Sequence, residues 1–226
     1  MKGYGQFCPV AKAVEVLAER WTLLVVRELL GGARRFNEIH RGVPLMSPSL
    51  LSQRLRALER AGLLERRPGN GRGVGYQLTE AGEELRPVVA LLGMWGQRWV
   101  RSNYTPGELD AGLLLWDVRR FVAARGLGDG RVVVHFRFRE APAGQRAFWL
   151  VLDGDDADLC LVDPGHEVDL EVDADVASLT RVWMGDLSAG DALAAGGVAL
   201  RGRRSLVRRF PDWFTGNPLS SVPPAR

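Results

Sequence analysis

Cysteine is scarce in this chain: Cys8 and Cys160 are the only two in 226 residues. The two fall in different expected domains and fit a reduced compartment better than a disulfide framework. Long apolar runs are missing too. No stretch of about 18 uncharged apolar residues occurs, so neither a transmembrane helix nor a membrane partner is expected. The opening MKGYGQFCPVAKAVEV has no signal-peptide core before its first charges, and a cytoplasmic location is expected. The common catalytic signatures are also lacking. His40, His135 and His166 stand apart from one another, and no HExxH, GxSxG or P-loop spacing is present. The glycines of GNGRGVG precede a strand-like run instead of opening a helix, which argues against phosphate cradling. Asp163, His166 and Glu167 in DPGHEVD can be drawn as a metal set, but a polar turn between two strands is the better reading. No enzymatic activity, metal or cofactor is expected.

What is present divides by charge. Residues 1–105 hold 16 Lys and Arg against 9 Asp and Glu, a net of +7, whereas residues 106–226 hold 14 against 18, a net of −4. The length suits one large or two small domains, each able to bury a core. A basic first half is an electrostatic footprint suited to phosphates.

Within that half, SPSLLSQRLRALERAGL (47–63) is the most informative stretch. Leu51, Leu55 and Leu58 fall at i, i+4 and i+7, one stripe fit for burial, and Ser49, Ser52, Gln53, Arg56 and Arg60 lie on the opposite side. Ser47 is an N-cap candidate with Pro48 at the first helical position. Upstream, a short helix over 36–41 and a turn through Gly42 and Pro44 complete a helix-turn-helix pattern. Downstream, Leu63 to Arg67 and Gly75 to Thr79 read as two strands of a hairpin with a Gly-rich tip, and Arg66, Arg67 and Arg72 lie on or beside that tip. A basic hairpin after a reader helix is a wing.

The run CPVAKAVEVLAERWTLLVVRELLGGARRFNEIHRGVPLMSPSLLSQRLRALERAGLLERR, followed by YQLTEAGEEL and MWGQRW, resembles the HxlR family of bacterial transcriptional regulators over roughly the first hundred residues. The resemblance implies a homodimer bound to operator DNA with the Ser47 helix in the major groove. On that footing Gln53, Arg54 and Arg56 are expected to read base edges, while Ser47, Pro48, Ser49, Ser52, Arg66, Arg67 and Arg72 position the helix and wing on the backbone. Some HxlR-like regulators use a cysteine before Pro-Val as an oxidation sensor. Cys8 precedes Pro9 near a helix start, where the dipole favours a thiolate, but a small buried apolar residue is the better reading.

A helix of about 23 residues is expected from Thr79 to Arg101, with Thr79 as its N-cap. Leu85, Val88, Leu92, Trp95 and Trp99, spaced 3, 4, 3 and 4 apart, form an a/d seam that wants a partner helix; packing against the second domain is the alternative, and a homodimer is the expectation.

SNYTPGELDAG (102–112) is polar and rich in turn residues, and the expected division is 1–101 for the DNA-binding and dimerisation domain, 102–112 for a linker and 113–226 for a second domain. Strands are expected where Val134, Phe136 and Phe138 alternate with His135, Arg137 and Arg139, where Phe148, Leu150 and Leu152 alternate with Trp149 and Val151, and where Val168, Leu170 and Val172 alternate with Asp169, Glu171 and Asp173, with a short one at Leu159 to Val162. Helices after Asp175, over 188–195 and over 205–214, with a short strand at Val198 to Arg201, complete the order. The fold class is α+β: a winged helix-turn-helix domain with a long dimerisation helix, then a sandwich-like domain with a mostly antiparallel sheet. This second half is similar to the sterol carrier protein type 2-like fold, a resemblance that implies an apolar tunnel. Trp116, Phe121, Phe148, Leu150, Leu179, Trp183, Met184 and Leu187 are the candidates for lining it, a dry core being the alternative for each.

The sequence thus reads as a dimeric regulator of operator DNA modulated by a lipophilic small molecule. Two other readings stand beside it: a redox regulator working through Cys8 with a structural second domain, and a lipid-binding protein whose winged domain mediates protein assembly.

Overall fold

A computed structural model of the chain describes residues 3–68, 73–100, 104–122, 130–154, 156–214, 217–223 and 225. The chain divides into two compact units, Met1–Gly93 and Met94–Arg226.

The first unit runs α1 (Pro9–Leu17), α2 (Thr22–Leu30), α3 (Phe36–Arg41), α4 (Pro48–Arg60), the strands β1 (Leu64–Pro68) and β2 (Val74–Leu78), α5 (Glu80–Glu83) and the start of α6 (Arg86–Trp99). Its core gathers Val25, Val26 and Leu29 of α2, Ile39 of α3, Leu51, Leu55 and Leu58 of α4, and Leu64 and Leu78 from the two strands. The expected leucine stripe of α4 is therefore the buried one, with each of the three no more than 1% exposed. Burial of each such side chain is worth about 1.5–3 kcal/mol. Gly62, at φ 72°, ends α4. Leu63 donates to the Leu58 carbonyl and Gly62 to that of Glu59, the paired bonds of a Schellman ending that turns the chain directly into β1. β1 and β2 pair antiparallel with Arg66 opposite Tyr76 and Arg67 opposite Gly75, which is the expected hairpin.

The single long helix expected over 79–101 is two helices. Thr79 does cap the first, its Oγ1 accepting from Gly82 N–H, but α5 stops at Glu83 and α6 starts at Arg86. Pro87 is the cause: it has no N–H for the Glu83 carbonyl, and it is tolerated only where it stands, in the first turn of a new helix.

The second unit begins inside α6, earlier than the 102–112 segment. Gln97, only 7% exposed, donates to the Met184 carbonyl, and the Arg98 carbonyl accepts from Ala225 N–H, so the end of α6 belongs with this unit. Then come α7 (Ala111–Val122), β3 (Val132–Phe138), β4 (Ala147–Asp153), β5 (Asp156–Cys160), β6 (Leu170–Ala174), α8 (Val176–Trp183), α9 (Ala189–Ala194), β7 (Val198–Gly202) and α10 (Arg204–Phe214). The sheet has the order β5-β4-β3-β6-β7, antiparallel except for the parallel central pair β3–β6. α+β architecture with an antiparallel-rich sheet is thus what the alternation pointed to. Asp175 and Ser188 cap α8 and α9 through Ser178 and Asp191 N–H.

One strand lies elsewhere than expected. β5 covers Asp156–Cys160 instead of 159–162, and Leu161 and Val162 are exposed. Asp153 pairs with Asp156, so the return strand begins directly after a tight turn at Gly154, and register then sets which residues are inside. The inward side chains of the sheet, among them Val134, Phe136, Phe148, Leu150 and Val172, share one core with Trp116, Leu179, Trp183, Phe210, Trp213 and Phe214 of the helices. The other sheet face carries His135, Arg137, Trp149, Glu171 and Asp173, all half-buried or exposed.

Candidate nucleic-acid interface

α4 is placed by its ends. Pro48 occupies the first turn, where a missing N–H costs nothing, and Ser47 Oγ accepts from Leu50 N–H at 3.3 Å. Because the leucine stripe is fixed in the core, the opposite face is fixed in solvent: Ser49, Gln53, Arg56 and Arg60 are exposed at i, i+4, i+7 and i+11, and Ser52 beside them is half-buried. Ser47 Oγ and Ser49 Oγ lie 3.2 Å apart. The long side chains of Gln53 and Arg56 stand on that stripe with no ion pair of their own among the described residues.

Arg54 does not join them. Its side chain is 14% exposed and turns back toward the α1–α2 turn, where one terminal nitrogen meets Glu19 at 2.7 Å and Nε donates to the Arg20 carbonyl at 3.1 Å. That turn needs holding. Trp21 has φ 78°, the one non-glycine in the left-handed region among the described residues, a conformation costing on the order of 1–3 kcal/mol. Arg20 also lies 5.4 Å from the Trp21 ring centroid. The family resemblance placed Arg54 among the expected base readers, whereas its geometry is that of a brace between α4 and the strained turn.

The turn before α4 is held from both sides. His40 Nε2 lies 2.8 Å from the Met46 carbonyl, and Arg27 bonds both the Glu28 carboxylate, at 2.8 Å, and the Gly42 carbonyl, at 2.9 Å. Glu28 is fully buried, and a Cβ at residue 42 would sit 1.9 Å from its carboxylate, so any larger residue there would displace the Arg27–Glu28 pair. Neither Glu28 nor Arg27 stood out in the sequence. A charged residue inside the otherwise apolar run TLLVVRELL was the available signal.

On the wing, Arg66 and Arg67 are exposed and each has a carboxylate neighbour: Arg66 meets Glu59 at 3.2 Å, and Arg67 meets Glu65 at 2.6 Å. Arg72 lies outside the described residues. Tyr76 N–H donates to the Arg34 carbonyl at 2.7 Å, and Arg34 in turn donates to the Leu29 carbonyl, so β2 is tied to the end of α2. The wing is thereby fixed relative to α2.

The remaining candidates separate clearly. Val88, Leu92, Trp95 and Trp99 of α6 are 42–63% exposed, an apolar stripe on a single helix, joined by Leu91 and Met94, which the heptad reading omitted. Leu85 precedes the helix and packs against the first unit's core instead. Cys8 is half-buried at the N-cap position of α1 and makes no side-chain capping bond. In the second unit, Trp116, Phe148, Leu150, Leu179 and Trp183 are buried in one core, with Phe121, Met184 and Leu187 packed at its margin. Trp183 Nε1 donates to Asp117 at 2.8 Å, and its ring lies 5.8 Å from Phe121 and 5.7 Å from Phe214. The eight residues are thus brought together in one core. The DPGHEVD segment is a turn in which Asp163 accepts from Gly165 N–H.

A capped helix with an exposed polar stripe, a helix-turn-helix partner and a basic hairpin define a winged helix-turn-helix protein of the DNA-binding kind. A model of the HxlR-like helix-turn-helix family matches residues 16–104. The chain is 35% identical over 102 residues to YvaP of Bacillus subtilis, described as an uncharacterized HTH-type transcriptional regulator, covering 44% of this chain and 94% of that protein. It is 40% identical over 93 residues to the similarly described Mb3122 of Mycobacterium bovis, where the match covers 40% of this chain and 58% of the relative. Among solved structures, the reduced form of the transcriptional regulator YodB from B. subtilis is 33% identical and covers 41% of this chain and 93% of its own, with a TM-score of 0.36. The chain belongs to the HxlR family of helix-turn-helix transcriptional regulators. No helix of the described residues is long and apolar enough to cross a membrane.

Proposed function

We propose that the protein is a homodimeric operator-binding regulator in which α4 enters the major groove, Gln53 and Arg56 read base edges, and Ser47, Ser49, Ser52, Arg66 and Arg67 contact backbone phosphates. The observation that carries this reading is the exposed Ser49, Gln53, Arg56, Arg60 stripe standing directly over the buried Leu51, Leu55, Leu58 stripe. A core-anchored helix presents such a stripe in a fixed direction, which is what direct readout requires. Arg66 and Arg67 exchange Glu59 and Glu65 for phosphates on binding, an exchange of exposed ion pairs that costs little. The exposed α6 stripe of Val88, Leu92, Trp95 and Trp99 pairs two copies, and two half-sites are then read together. The second unit takes a lipophilic effector among Trp116, Phe121, Phe148, Leu150, Leu179, Trp183, Met184 and Leu187, in the manner of a sterol carrier-like fold. Such an effector acts if it binds one arrangement of the dimer better than another.

The test is a duplex selected from a random-sequence pool and titrated at fixed salt. Arg56→Ala and Gln53→Ala are each expected to weaken it by about 1–3 kcal/mol and to relax preference at one base position. Unchanged affinity and unchanged preference in both variants would sink the reader assignment. Cys8, half-buried at the start of α1, favours a second, redox reading. If quinone or peroxide releases the wild-type protein from its operator and leaves Cys8→Ser bound, the input is the thiol and not a ligand in the second unit.

A further inference from the structure

Charge in the second unit is segregated along the chain. Ten acidic residues and no Lys or Arg fall between Asp153 and Asp175, whereas Arg201, Arg203, Arg204, Arg208 and Arg209 follow with no acidic residue from Gly196 to Phe210. Most of the acidic strand residues are answered locally: Asp153 by Arg131, Asp169 by Arg203, Glu171 by Arg137, and Asp173 by Arg137 and Arg139. Of the basic run, Arg203 is the partner of Asp169, and the residues that follow it lie on α10. Arg204, Ser205, Arg208 and Arg209 form the exposed face of α10, and among the described residues neither Arg204 nor Arg208 has a carboxylate within ion-pair distance.

The buried face of the same helix is rigid. Leu206, Phe210, Trp213 and Phe214 are at most 2% exposed, and the Phe210 ring lies 5.0 Å from Phe214 and 5.2 Å from Trp213. The charges also run against the helix: arginine occupies its first turns, no acidic residue does, and the last turn has no basic residue. Cations at the start and Asp212 near the end are the reverse of what the helix dipole rewards. Helix stability therefore gives no reason for this placement, and the positive potential of the face is reinforced by the dipole instead of being compensated.

We infer that the Arg204, Arg208, Arg209 face of α10 is a second polyanion-binding surface whose occupant is the phosphate backbone of duplex DNA flanking the operator. This rests on the operator-binding reading above. Once α4 and the wing hold a duplex, the second unit is tethered to the same molecule, and the high effective concentration makes a few additional phosphate contacts sufficient. Guanidinium groups on a rigid face suit phosphate oxygens without any demand on base sequence. The flanks are thus contacted without being read, and the footprint on DNA is longer than the winged unit alone would give.

Counterion release supplies the test, because each phosphate neutralised adds about 0.9 to the slope of log affinity against log salt. The full-length protein is titrated on a duplex trimmed to the operator and on the same operator with about one helical turn (~10 bp) added to each side. With up to three phosphate contacts from each of the two copies in the dimer, the wild type is expected to show a slope steeper by up to about 5 on the extended duplex. The Arg204→Gln/Arg208→Gln/Arg209→Gln variant should erase that difference while leaving the trimmed duplex bound as before, and the corresponding triple Lys variant should restore it, since a phosphate accepts a point charge. Equal slopes for the wild type on the two duplexes overturn the inference and leave the operator reading standing. Failure of the wild type to bind either duplex overturns the operator reading itself. Retention of the slope difference by the triple Gln variant overturns the α10 inference alone, as does capture of the wild type, but not of that variant, by vesicles containing phosphatidylglycerol while the two slopes coincide.

Discussion

Helices α4 and α10 are built on one plan, a stripe of large apolar residues facing inward beneath an arginine-bearing outer face, yet their arginines are employed differently. In α4 the N-cap is a serine, Arg60 closes the last turn where the dipole welcomes it, and Arg54 is spent inside the domain on Glu19 and the Arg20 carbonyl. In α10 arginine crowds the first turns and Asp212 stands near the end. The difference teaches that an arginine's position on a helical wheel is a poor guide to its work until its neighbours in space are known. What distinguishes a reader from a brace is whether a carboxylate or carbonyl has already claimed the guanidinium.

The comparison breaks first at the cores that support the two faces. Phe210→Ala removes a fully buried ring from α10 and is expected to destabilise the second unit by about 3–5 kcal/mol. Leu55→Ala under the reader face should cost the first unit about 2–5 kcal/mol. If the units melt separately, calorimetry will show each substitution shifting a different transition. A single transition displaced equally by both would mean that the two helices stand on one cooperative core.

Next comes the pair two residues apart. Arg54→Ala is expected to lower stability by about 1–2 kcal/mol, because it removes a half-shielded, charge-assisted bond and releases the strained Trp21 turn. Arg56→Ala should leave the melting temperature within a degree or so of wild type and act on DNA affinity alone, as an exposed side chain without a partner does. Equal melting temperatures for the two variants, with equal losses of affinity, would put Arg54 back among the readers.

These two arginines also mark how far the sequence could be read. The leucine spacing of α4, the Ser47-Pro48 start and the hairpin around GNGRGVG were legible because each is a local pattern with a local cause. Arg54 was not, since Glu19 lies 35 residues upstream and only tertiary packing brings them together. The break between α5 and α6 was visible as Pro87, but the regular spacing from Leu85 to Trp99 argued for continuity, and a heptad count carries no information about a missing N–H. In the second unit alternation located the inner face of β3, β4 and β6 correctly. It misplaced β5, because the apolar run 159–162 outweighed the tight turn at Gly154 that fixes the register. The parallel pairing of β3 with β6 has no local signature at all.

The smallest expected effect belongs to the uncovered sheet face of the second unit, away from both helices. His135 stacks on Trp149 at a centroid distance of 4.5 Å with the rings 6° from parallel, and its Nε2 is buried without a hydrogen-bond partner among the described residues. Burial pushes its pKa below the ordinary histidine value, a push that Arg137 assists and that Glu171 and Asp163 oppose. The unfolded chain therefore takes up the proton more readily than the folded one. The stability that the neutral, stacked ring contributes is present above the unfolded pKa, near 6.5, and is lost as pH falls through that value toward the lower folded one. His135→Phe keeps the stack and removes the titration, so the second unit's melting temperature should fall less between pH 7 and pH 5 in the variant than in the wild type. An identical decline in both would show that the acidic residues from Asp153 to Asp175, and not this imidazole, govern the response of the sheet to acid.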